Sequence, residues 1–484
     1  MRLIYDIVKK LKKQEIRHIR HVIKHASFEY EKMGKLFELV TRYEEREESF
    51  YSQKLYGKEP DNTFRVTKSR LKRMLENVVL NDKSLTGYSS ESINAQLQAK
   101  KKLLQGEILM GRGAYEASKN LLLQVVATAR KYAFHHEQFL AELLLYRNHS
   151  VRTSAKEFEK NTEELLALNT RYAGINEAII LHYSISNVLA NLTVEDEGLQ
   201  EVREKVDRMQ VIAELTAHPL VKNLYYQSEI AYLQVSGQYD DALDFCKKYL
   251  DLVNEDPSQH SPQRIAAANV HLAQVSLRLQ LIADAERYAQ TALAIYSPEE
   301  INSLKVLELS FRIAFHAGDF PKSLLHIEKA LRHPQFEASR TLAAKWHYFH
   351  ACLLFKTGQY QDAYRKLNDT SPLLADKYGM NLYIRMLEIM IMYELDNFDL
   401  LETKILNMRQ YVKRTQRTQE SHRPISLVKV MMKWHKNNYD FQKTLAGTRS
   451  QLQELNVLQT LNPPDNPDQE LIQLETWMRT HAGA

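Results

Sequence analysis

A short phrase recurs from residue 237 onward: a glycine, an aromatic residue two positions later, and a small residue three positions after that. The strong copies are Gly237-Gln-Tyr239-Asp-Asp-Ala242, Gly318-Asp-Phe320-Pro-Lys-Ser323 and Gly358-Gln-Tyr360-Gln-Asp-Ala363. Weaker copies begin at Gln280 and Asp396, so the successive intervals are 43, 38, 40 and 38 residues. A phrase that returns at a nearly constant interval predicts a repeated supersecondary unit.

Each copy stands between two amphipathic runs, in which apolar residues recur at three- and four-residue spacing. Glycine is suited to end the first helix because it adopts the left-handed backbone conformation at little cost. We expect the aromatic residue to fill the junction between the paired helices and the small residue to let them approach closely. One such hairpin cannot bury its apolar face alone, so neighbouring hairpins have to stack.

Composition favours an all-α fold. The 484 residues include only 14 glycines and 12 prolines, whereas β-sandwiches, Rossmann-type enzymes and barrels need many turns rich in glycine. No proline occurs between Pro60 and Pro219, which a mostly helical chain tolerates. With 44% hydrophobic and 26% charged residues, the chain has enough apolar side chains to bury a core.

These units resemble tetratricopeptide (TPR) repeats, whose core pattern is a G-x-(Y/F)-x-x-A turn between two antiparallel helices. The resemblance covers residues 95–445 and includes an earlier copy at Gly113, three repeat lengths before Gly237, although the two turns between them are degenerate. The period of about 40 residues exceeds the usual 34 because the linkers are longer. The resemblance implies an α-solenoid of about seven to eight hairpins. It also implies a scaffold or adaptor that holds a partner peptide or helix in a concave groove.

Candidate partner-binding residues follow from their positions in the repeats. In TPR proteins the first helix of each pair usually faces inward, and the residues that line the groove vary. On that basis the candidates are Asn269, His271, Arg312 and Tyr348. Tyr348 lies in the aromatic run Lys345–His350, for which the other interpretation is burial in the core with a share in the groove wall.

Residues 1–85 are predicted to form a separate basic helical module, with helices over about 2–25 and 30–43 and a basic helix from Phe64 onward. The last helix is loosely similar to the nucleic-acid readers of helix-turn-helix and winged-helix proteins. Its basic residues are Lys68, Arg70, Lys72 and Arg73. The alternative function is therefore a nucleic-acid-binding regulator with a TPR-like sensor or oligomerisation domain. The competing interpretation is a solvated helix face, since the acidic run Glu44–Glu48 dilutes the positive field.

Charge is distributed unevenly along the chain. Residues 1–80 carry 19 Lys and Arg against 12 Asp and Glu, residues 404–443 carry 10 against 2, and the centre is acidic. This division suggests two surfaces with different partners. The second basic stretch is interpreted as a terminal capping helix rather than a site for an acidic partner or a phosphate backbone. Residues 446–484 are predicted to be a polar tail, in which prolines precede a C-terminal capping helix from about Asp468.

No active site is indicated by the sequence. The motifs G-x-S-x-G, G-x-x-x-x-G-K-[ST], H-E-x-x-H and G-x-G-x-x-G are absent, so the protein is predicted not to be an enzyme and to need no cofactor. His18, His21 and His25 share one side of a helix, but no Cys, Asp or Glu in sequence reach completes a metal site. No metal is therefore predicted.

The cysteines and the N-terminal region bear on the compartment. Cys246 and Cys352 lie 106 positions apart and neither belongs to a C-x-x-C pair, so both are predicted to be buried thiols of a reducing compartment. The first residues alternate apolar and charged side chains, unlike a secretory signal, and no window of 18 apolar residues occurs. These features predict a cytoplasmic protein without membrane contact; the partner's identity and the oligomeric state stay open.

Overall fold

The computed structural model describes residues 1–11, 13–24, 31–81, 91–149, 155–190, 197–336, 340–368, 380–415, 422–451 and 470–483. Within these ranges the regular secondary structure is helical and no β-strand is present, which confirms the all-α class. The chain divides into two compact units, Met1–Lys101 (unit 1) and Lys102–Ala484 (unit 2). The domain boundaries predicted from the sequence at residues 85, 95 and 446 stay predictions.

Unit 1 is built from α1 to α5 and the first part of α6. The bounds are α1 Arg2–Lys10, α2 Lys13–Lys24, α3 Glu31–Arg42, α4 Glu48–Tyr56, α5 Asn62–Asn81 and α6 Glu91–Gly111. The buried apolar side chains of α3 are Met33, Leu36, Phe37 and Val40. They belong to one core with Leu71 and Leu75, which lie four residues apart on the basic helix α5.

Two details of unit 1 correct the sequence prediction. The helix expected over residues 2–25 is interrupted, because the backbone becomes extended at Leu11 with a ψ of 140°. The stretch between residues 43 and 64, for which no helix is predicted, contains α4, whose Tyr51 and Leu55 are part of the core. That helix is short and follows the acidic run directly, so it offers little apolar periodicity for a sequence to reveal.

Unit 2 consists of consecutive helices that pack on their neighbours. They are α7 Tyr115–Tyr132, α8 His135–His149, α9 Ala155–Ala190, α10 Glu197–Thr216, α11 Pro219–Val235, α12 Tyr239–Glu255, α13 Pro262–Arg278, α14 Ile282–Ile295, α15 Ile301–His316, α16 Phe320–Leu331, α17 Arg340–Lys356, α18 Tyr360–Asn368, α19 Met380–Glu394, α20 Phe398–Thr415, α21 His422–Lys436, α22 Phe441–Gly447 and α23 Leu474–Ala482. From α11 to α22 successive helices form packed pairs, α11 with α12, α13 with α14 and so on. Such packing is consistent with a helical repeat.

Each predicted turn with a glycine lies between two consecutive helices: Gly113 follows α6, and the other three lie within the pairs from α11 onward. Gly113, Gly237, Gly318 and Gly358 all have a left-handed backbone, with φ between 74° and 77°. At Gly318 the glycine N–H donates to the Phe315 carbonyl at 3.1 Å and the next N–H donates to the Ala314 carbonyl at 2.9 Å. This pair of hydrogen bonds is the Schellman motif, which satisfies the last carbonyls of the first helix.

The weaker copies of the phrase adopt the same turn without glycine. Gln280 and Asp396 have φ values of 59° and 52°, and the residue after each donates its N–H to a carbonyl five positions earlier. A related turn that the sequence did not reveal lies between α21 and α22. There Asn438 and Tyr439 are both left-handed, at φ 54° and 63°, and Phe441 follows Asn438 by three positions rather than two. At Gln280 and Asp396 the left-handed turn is thus kept without glycine.

These turns allow a paired test of stability. Gly318→Ala places a Cβ on a left-handed backbone, so we expect it to lower the free energy of unfolding by about 1–2 kcal/mol. Gln280→Gly relieves the same strain at the equivalent position and is expected to raise it by up to about 1 kcal/mol. Urea unfolding followed by circular dichroism measures both changes. Shifts of the same sign in the two variants would contradict this explanation of the turn.

The region between Gly113 and Gly237 departs from the regular interval. Here α9 runs for 36 residues and packs against both α10 and α11. Gly174 permits the close approach, because a Cβ at this position would lie 3.1 Å from Thr216 and 3.4 Å from Ile212 of α10. The regular three-repeat spacing predicted for this region does not hold.

Helices α15, α17 and α19 contribute many of the residues of one large buried apolar cluster in unit 2. Every residue from Val306 to Phe315 is buried except Glu308, which is partly exposed. Trp346 of α17 is fully buried against Phe311 and Phe349, with ring centroids 6.2 and 5.5 Å away. Helices that are apolar on most of their circumference are enclosed by other elements, so this part of unit 2 has its first helices largely covered.

Candidate partner-binding surface

The four residues chosen from the sequence as partner contacts are mostly buried. Asn269, Arg312 and Tyr348 have exposed fractions of 4%, 5% and 2%. Their assignment as partner contacts stays a prediction, but side chains so deeply placed offer little area to a partner on the surface. The structure brings Arg312 and Tyr348 to adjacent helices, α15 and α17, whereas Asn269 and His271 lie on α13.

Asn269 makes a contact within its own helix, whereas His271 contacts the preceding hairpin. The Asn269 side-chain amide donates to the Ile265 carbonyl of the same helix at 2.8 Å. The His271 ring meets the Tyr249 ring of α12 edge to face, with centroids 6.3 Å apart. Burial lowers the pKa of His271 to about 4, because the charged imidazolium would be poorly solvated there. His271 is therefore a neutral packing residue near pH 7.

Arg312 belongs to a charged group that joins α15 to α17. Its guanidinium donates to Glu308 Oε1 at 2.9 Å, and Lys345 Nζ lies 2.6 Å from the same oxygen. The Arg312 and Lys345 cations also lie over the Phe349 ring, at 5.4 and 5.7 Å from its centroid. Lys305, which is exposed, shares this side of α15, since it lies three and seven positions before Glu308 and Arg312.

Tyr348 lies under a segment from the far end of the chain. This segment, residues 470–483, is called the C-terminal segment here. The hydroxyl of Tyr348 is hydrogen-bonded to the backbone of Leu471, and burial raises its pKa well above the ordinary value. Leu471 and Ile472 are themselves buried, at 6% and 5% exposure. The first-helix side of α17 is thus occupied by the protein's own chain.

Helix α23 of the C-terminal segment binds through one tryptophan. Trp477 packs among the rings of Tyr393, Trp434 and Phe441, with centroids 5.5–5.6 Å away. Its indole N–H donates to Glu394 Oε1 at 2.7 Å, and His481 Nε2 lies 3.0 Å from the same oxygen. A single carboxylate therefore contacts two side chains that are four residues apart on α23.

The local sequence explains why this segment forms a helix with one apolar face. Leu474, Trp477 and Met478 lie at i, i+3 and i+4 and are all buried, whereas Thr476 and Arg479 point to solvent. Gly483 ends the helix in the left-handed conformation at φ 68°. The helix is thus amphipathic, and its apolar face is the one that contacts unit 2.

The surface that receives the segment is called the docking surface here. It consists of Tyr348, Tyr393, Glu394, Trp434 and Phe441, from α17, α19, α21 and α22. The hydroxyl of Tyr360, the aromatic residue of a repeat turn, is also hydrogen-bonded to Glu394 and helps to hold the carboxylate. Of these residues the sequence suggested only Tyr348. The positions of the tryptophans in the sequence could have pointed to the others, since two of the chain's three tryptophans, Trp434 and Trp477, contact each other here.

Two of the four basic residues of α5, Lys68 and Lys72, lie close to carboxylates. Lys68 Nζ lies 2.7 Å from Glu48 Oε1, which lowers the pKa of that carboxyl, and Lys72 Nζ lies 3.6 Å from Glu76. Arg70 and Arg73 are exposed on the same helix. The role of these four residues in binding nucleic acid stays a prediction.

A second basic feature of unit 1 was not predicted. An open cleft of about 620 Å³ is lined by side chains of α2, α3 and α4. Its charged lining residues are Arg20, Lys35, Glu38, Arg42 and Lys54. Arg20 forms a two-point contact with Glu38 at 2.7 and 2.8 Å, and Lys35 lies 2.7 Å from Glu31. The lining contains four cations and one carboxylate, so it carries a net positive charge.

The remaining chemical candidates have ordinary environments. Cys246 and Cys352 are buried free thiols, as predicted, and burial raises the pKa of Cys246 to about 12. In the part of the chain that the structure describes, no three His, Cys, Asp or Glu side chains are grouped to hold a metal ion. His25 lies outside that part.

None of the helices within the described ranges combines the length and the apolar character needed to cross a membrane. No protein-family model matches the chain, and no curated protein is similar to it in sequence.

Proposed function

We propose that the protein is a non-enzymatic scaffold or adaptor that binds a peptide or helix of another protein. The binding surface is the first-helix side of the TPR-like hairpins of unit 2. The observation that carries this proposal is the docked C-terminal segment: unit 2 holds a short amphipathic helix through an aromatic cluster and one aimed carboxylate. Laying the apolar face of a helix on such a surface is a recurring mode of peptide recognition.

The charges beside this surface favour a directional contact. Lys305, Glu308 and Lys345 are at least partly exposed and lie on the first helices α15 and α17. Such polar side chains around a buried apolar centre orient a partner and reject wrong ones. The repeat packing supplies a rigid support for both features.

Site-specific photo-crosslinking tests the proposal. A photoreactive phenylalanine derivative replaces Lys305 on α15 or, as the matched control, Gln290 on the second helix α14; both positions are exposed. After irradiation in cells of the source organism, we expect a discrete protein adduct from position 305 and none from position 290. Adducts of equal yield at both positions, or at neither, would count against binding on the first-helix side.

A second candidate function is a nucleic-acid-binding regulator, and the observation that favours it is the basic cleft of unit 1. Phosphate groups are attracted by Arg and Lys in such a cleft, and the interaction weakens steeply with salt. If this function holds, the full chain is retained on immobilised duplex DNA at low salt. Arg42→Glu with Lys54→Glu then reduces retention, and comparison with Lys72→Glu and Arg73→Glu separates the cleft from α5. Passage without retention at low salt would remove this candidate.

A further inference from the structure

The C-terminal segment contacts unit 2 as a bound peptide does. Its described helix has only nine residues, which is shorter than an isolated helix needs to be stable in water. Its order therefore comes from the docking surface rather than from its own hydrogen bonds. In the sequence, Pro463, Pro464 and Pro467 separate it from α22, so it is a distinct sequence element and not the next repeat hairpin.

The contacts are those of an anchor and its orienting partners. Trp477 is only 7% exposed and is surrounded by aromatic rings on α19, α21 and α22. The Glu394 carboxylate contacts the indole N–H and the His481 ring, and it is 14% exposed. At the end of the helix the Gln442 amide donates to the Ala482 carbonyl at 3.2 Å. Buried aromatic anchors with few aimed polar contacts dominate the energetics of recognition.

We propose that the docking surface is a helix-recognition site that the C-terminal segment occupies in cis. Its partner in trans is a short amphipathic helix with a tryptophan and, four residues later, a histidine or another cationic residue. This inference rests on the proposed function and specifies its partner and its regulation. The partner helix has to displace the C-terminal segment, so the tethered segment lowers the apparent affinity for every ligand of this surface.

Glu394 gives the site its selectivity. A phenylalanine in place of the tryptophan fills much of the aromatic cluster but offers no N–H, so the carboxylate loses a hydrogen-bond donor in a mostly buried position. A leucine-rich helix without tryptophan is rejected for the same reason. The chemistry of the partner is therefore an indole N–H and a cation on one helix face.

Peptide binding to the full chain tests the inference. The probe is a fluorescent synthetic peptide with the sequence of residues 470–483, and its affinity is measured by anisotropy. Trp477→Ala in the full chain removes the anchor of the tethered segment, so we expect the peptide to bind this variant at least tenfold more tightly than the unchanged chain. Arg479→Ala, on the solvent side of the same helix, is the matched control and should leave the affinity of the unchanged chain as it is.

Two further measurements fix the specificity and the fold. A peptide with phenylalanine at the Trp477 position should bind the Trp477→Ala chain at least tenfold more weakly than the peptide with tryptophan does. Adding Glu394→Gln to that chain should reduce this difference in affinity between the two peptides. In the unchanged chain, hydrogen exchange should show α23 amides exchanging at least tenfold faster than α21 amides, because the segment opens without global unfolding.

The opposite results would overturn the inference. If the peptide does not bind a Trp477→Ala chain with native circular dichroism, the surface is not a recognition site. If the amides of α23 and α21 exchange at the same rate, the segment is an integral part of the core. This measurement uses the unchanged chain, so it remains valid even if the Trp477→Ala variant fails to fold. Neither result affects the crosslinking test at Lys305, so a failure here is distinguishable from a failure of the proposed function.

Discussion

Trp346→Ala is expected to lower the free energy of unfolding of unit 2 by about 3–5 kcal/mol. Trp346 is fully buried at the centre of α17, between the Phe311 and Phe349 rings. Truncation removes a large apolar surface from the core and leaves a cavity that the neighbouring helices cannot fill. The loss is large because α17 packs against helices on both sides of the repeat, α16 and α18.

Urea unfolding followed by far-ultraviolet circular dichroism measures this loss. Trp346→Phe keeps most of the ring packing and should lose less than half as much. The Trp346 indole nitrogen has no hydrogen-bond partner within the described structure, so Trp346→Phe loses no polar contact. Leu325→Ala, at an exposed position of α16, should change stability by no more than about 0.5 kcal/mol. Similar losses for Trp346→Ala and Leu325→Ala would show that the core is not where the structure places it.

Acid is expected to destabilise unit 2, and His271 contributes a defined share. Its pKa is about 4 in the folded protein and about 6.5 in the unfolded chain. Above pH 6.5 both states hold neutral imidazole and the residue has no effect. Between pH 6.5 and 4 the unfolded chain binds a proton that the folded protein does not, so stability falls as the pH falls. At pH 5 the loss reaches up to about 2 kcal/mol.

His271→Leu isolates this contribution. The Nδ1 atom of His271 is buried without a hydrogen-bond partner in the described structure, so leucine removes no polar contact and fits the same apolar surroundings. We expect the variant to match the unchanged protein at pH 7.5 and to be up to about 2 kcal/mol more stable at pH 5. His135 and His326 also have pKa values lowered to about 4 by burial, so some acid sensitivity remains. Urea unfolding of both proteins at the two pH values is the measurement. Parallel losses in the two proteins would contradict the role given to His271.

The repeat turns could be predicted because the local sequence is sufficient to form them. A left-handed residue, an aromatic residue and a small residue are each required by the backbone or by the close approach of two helices, and Gly318, Phe320 and Ser323 supply all three. The turn at Asn438 was not predicted because an asparagine stands where the other turns have glycine, and the aromatic residue is displaced by one position. Asparagine can take the left-handed conformation, but it is a weaker sequence signal for it than glycine. This turn is fixed by the packing of α21 and α22 as well as by the residue type.

The long helix α9 and the docking surface could not be predicted in this way. No glycine or proline pattern distinguishes one 36-residue helix from two shorter ones, since helix length within an uninterrupted helical sequence depends on the neighbours that cover it. Glu394 and Trp477 lie 83 positions apart, and nothing in either local sequence indicates the other. Arg312 and Tyr348 were chosen for their positions in the repeats, but their burial depends on which elements cover α15 and α17.

The amino-acid sequence by itself determined the helical class, the hairpin turns and the apolar face of each helix, because these depend on backbone preferences and on side-chain spacing within a few residues. Only the tertiary structure decided which helix faces are covered, which charges share a carboxylate, and that the C-terminal segment lies on Tyr348 and Glu394. Those outcomes depend on contacts between residues far apart in sequence, whose free energy arises only when the helices are packed.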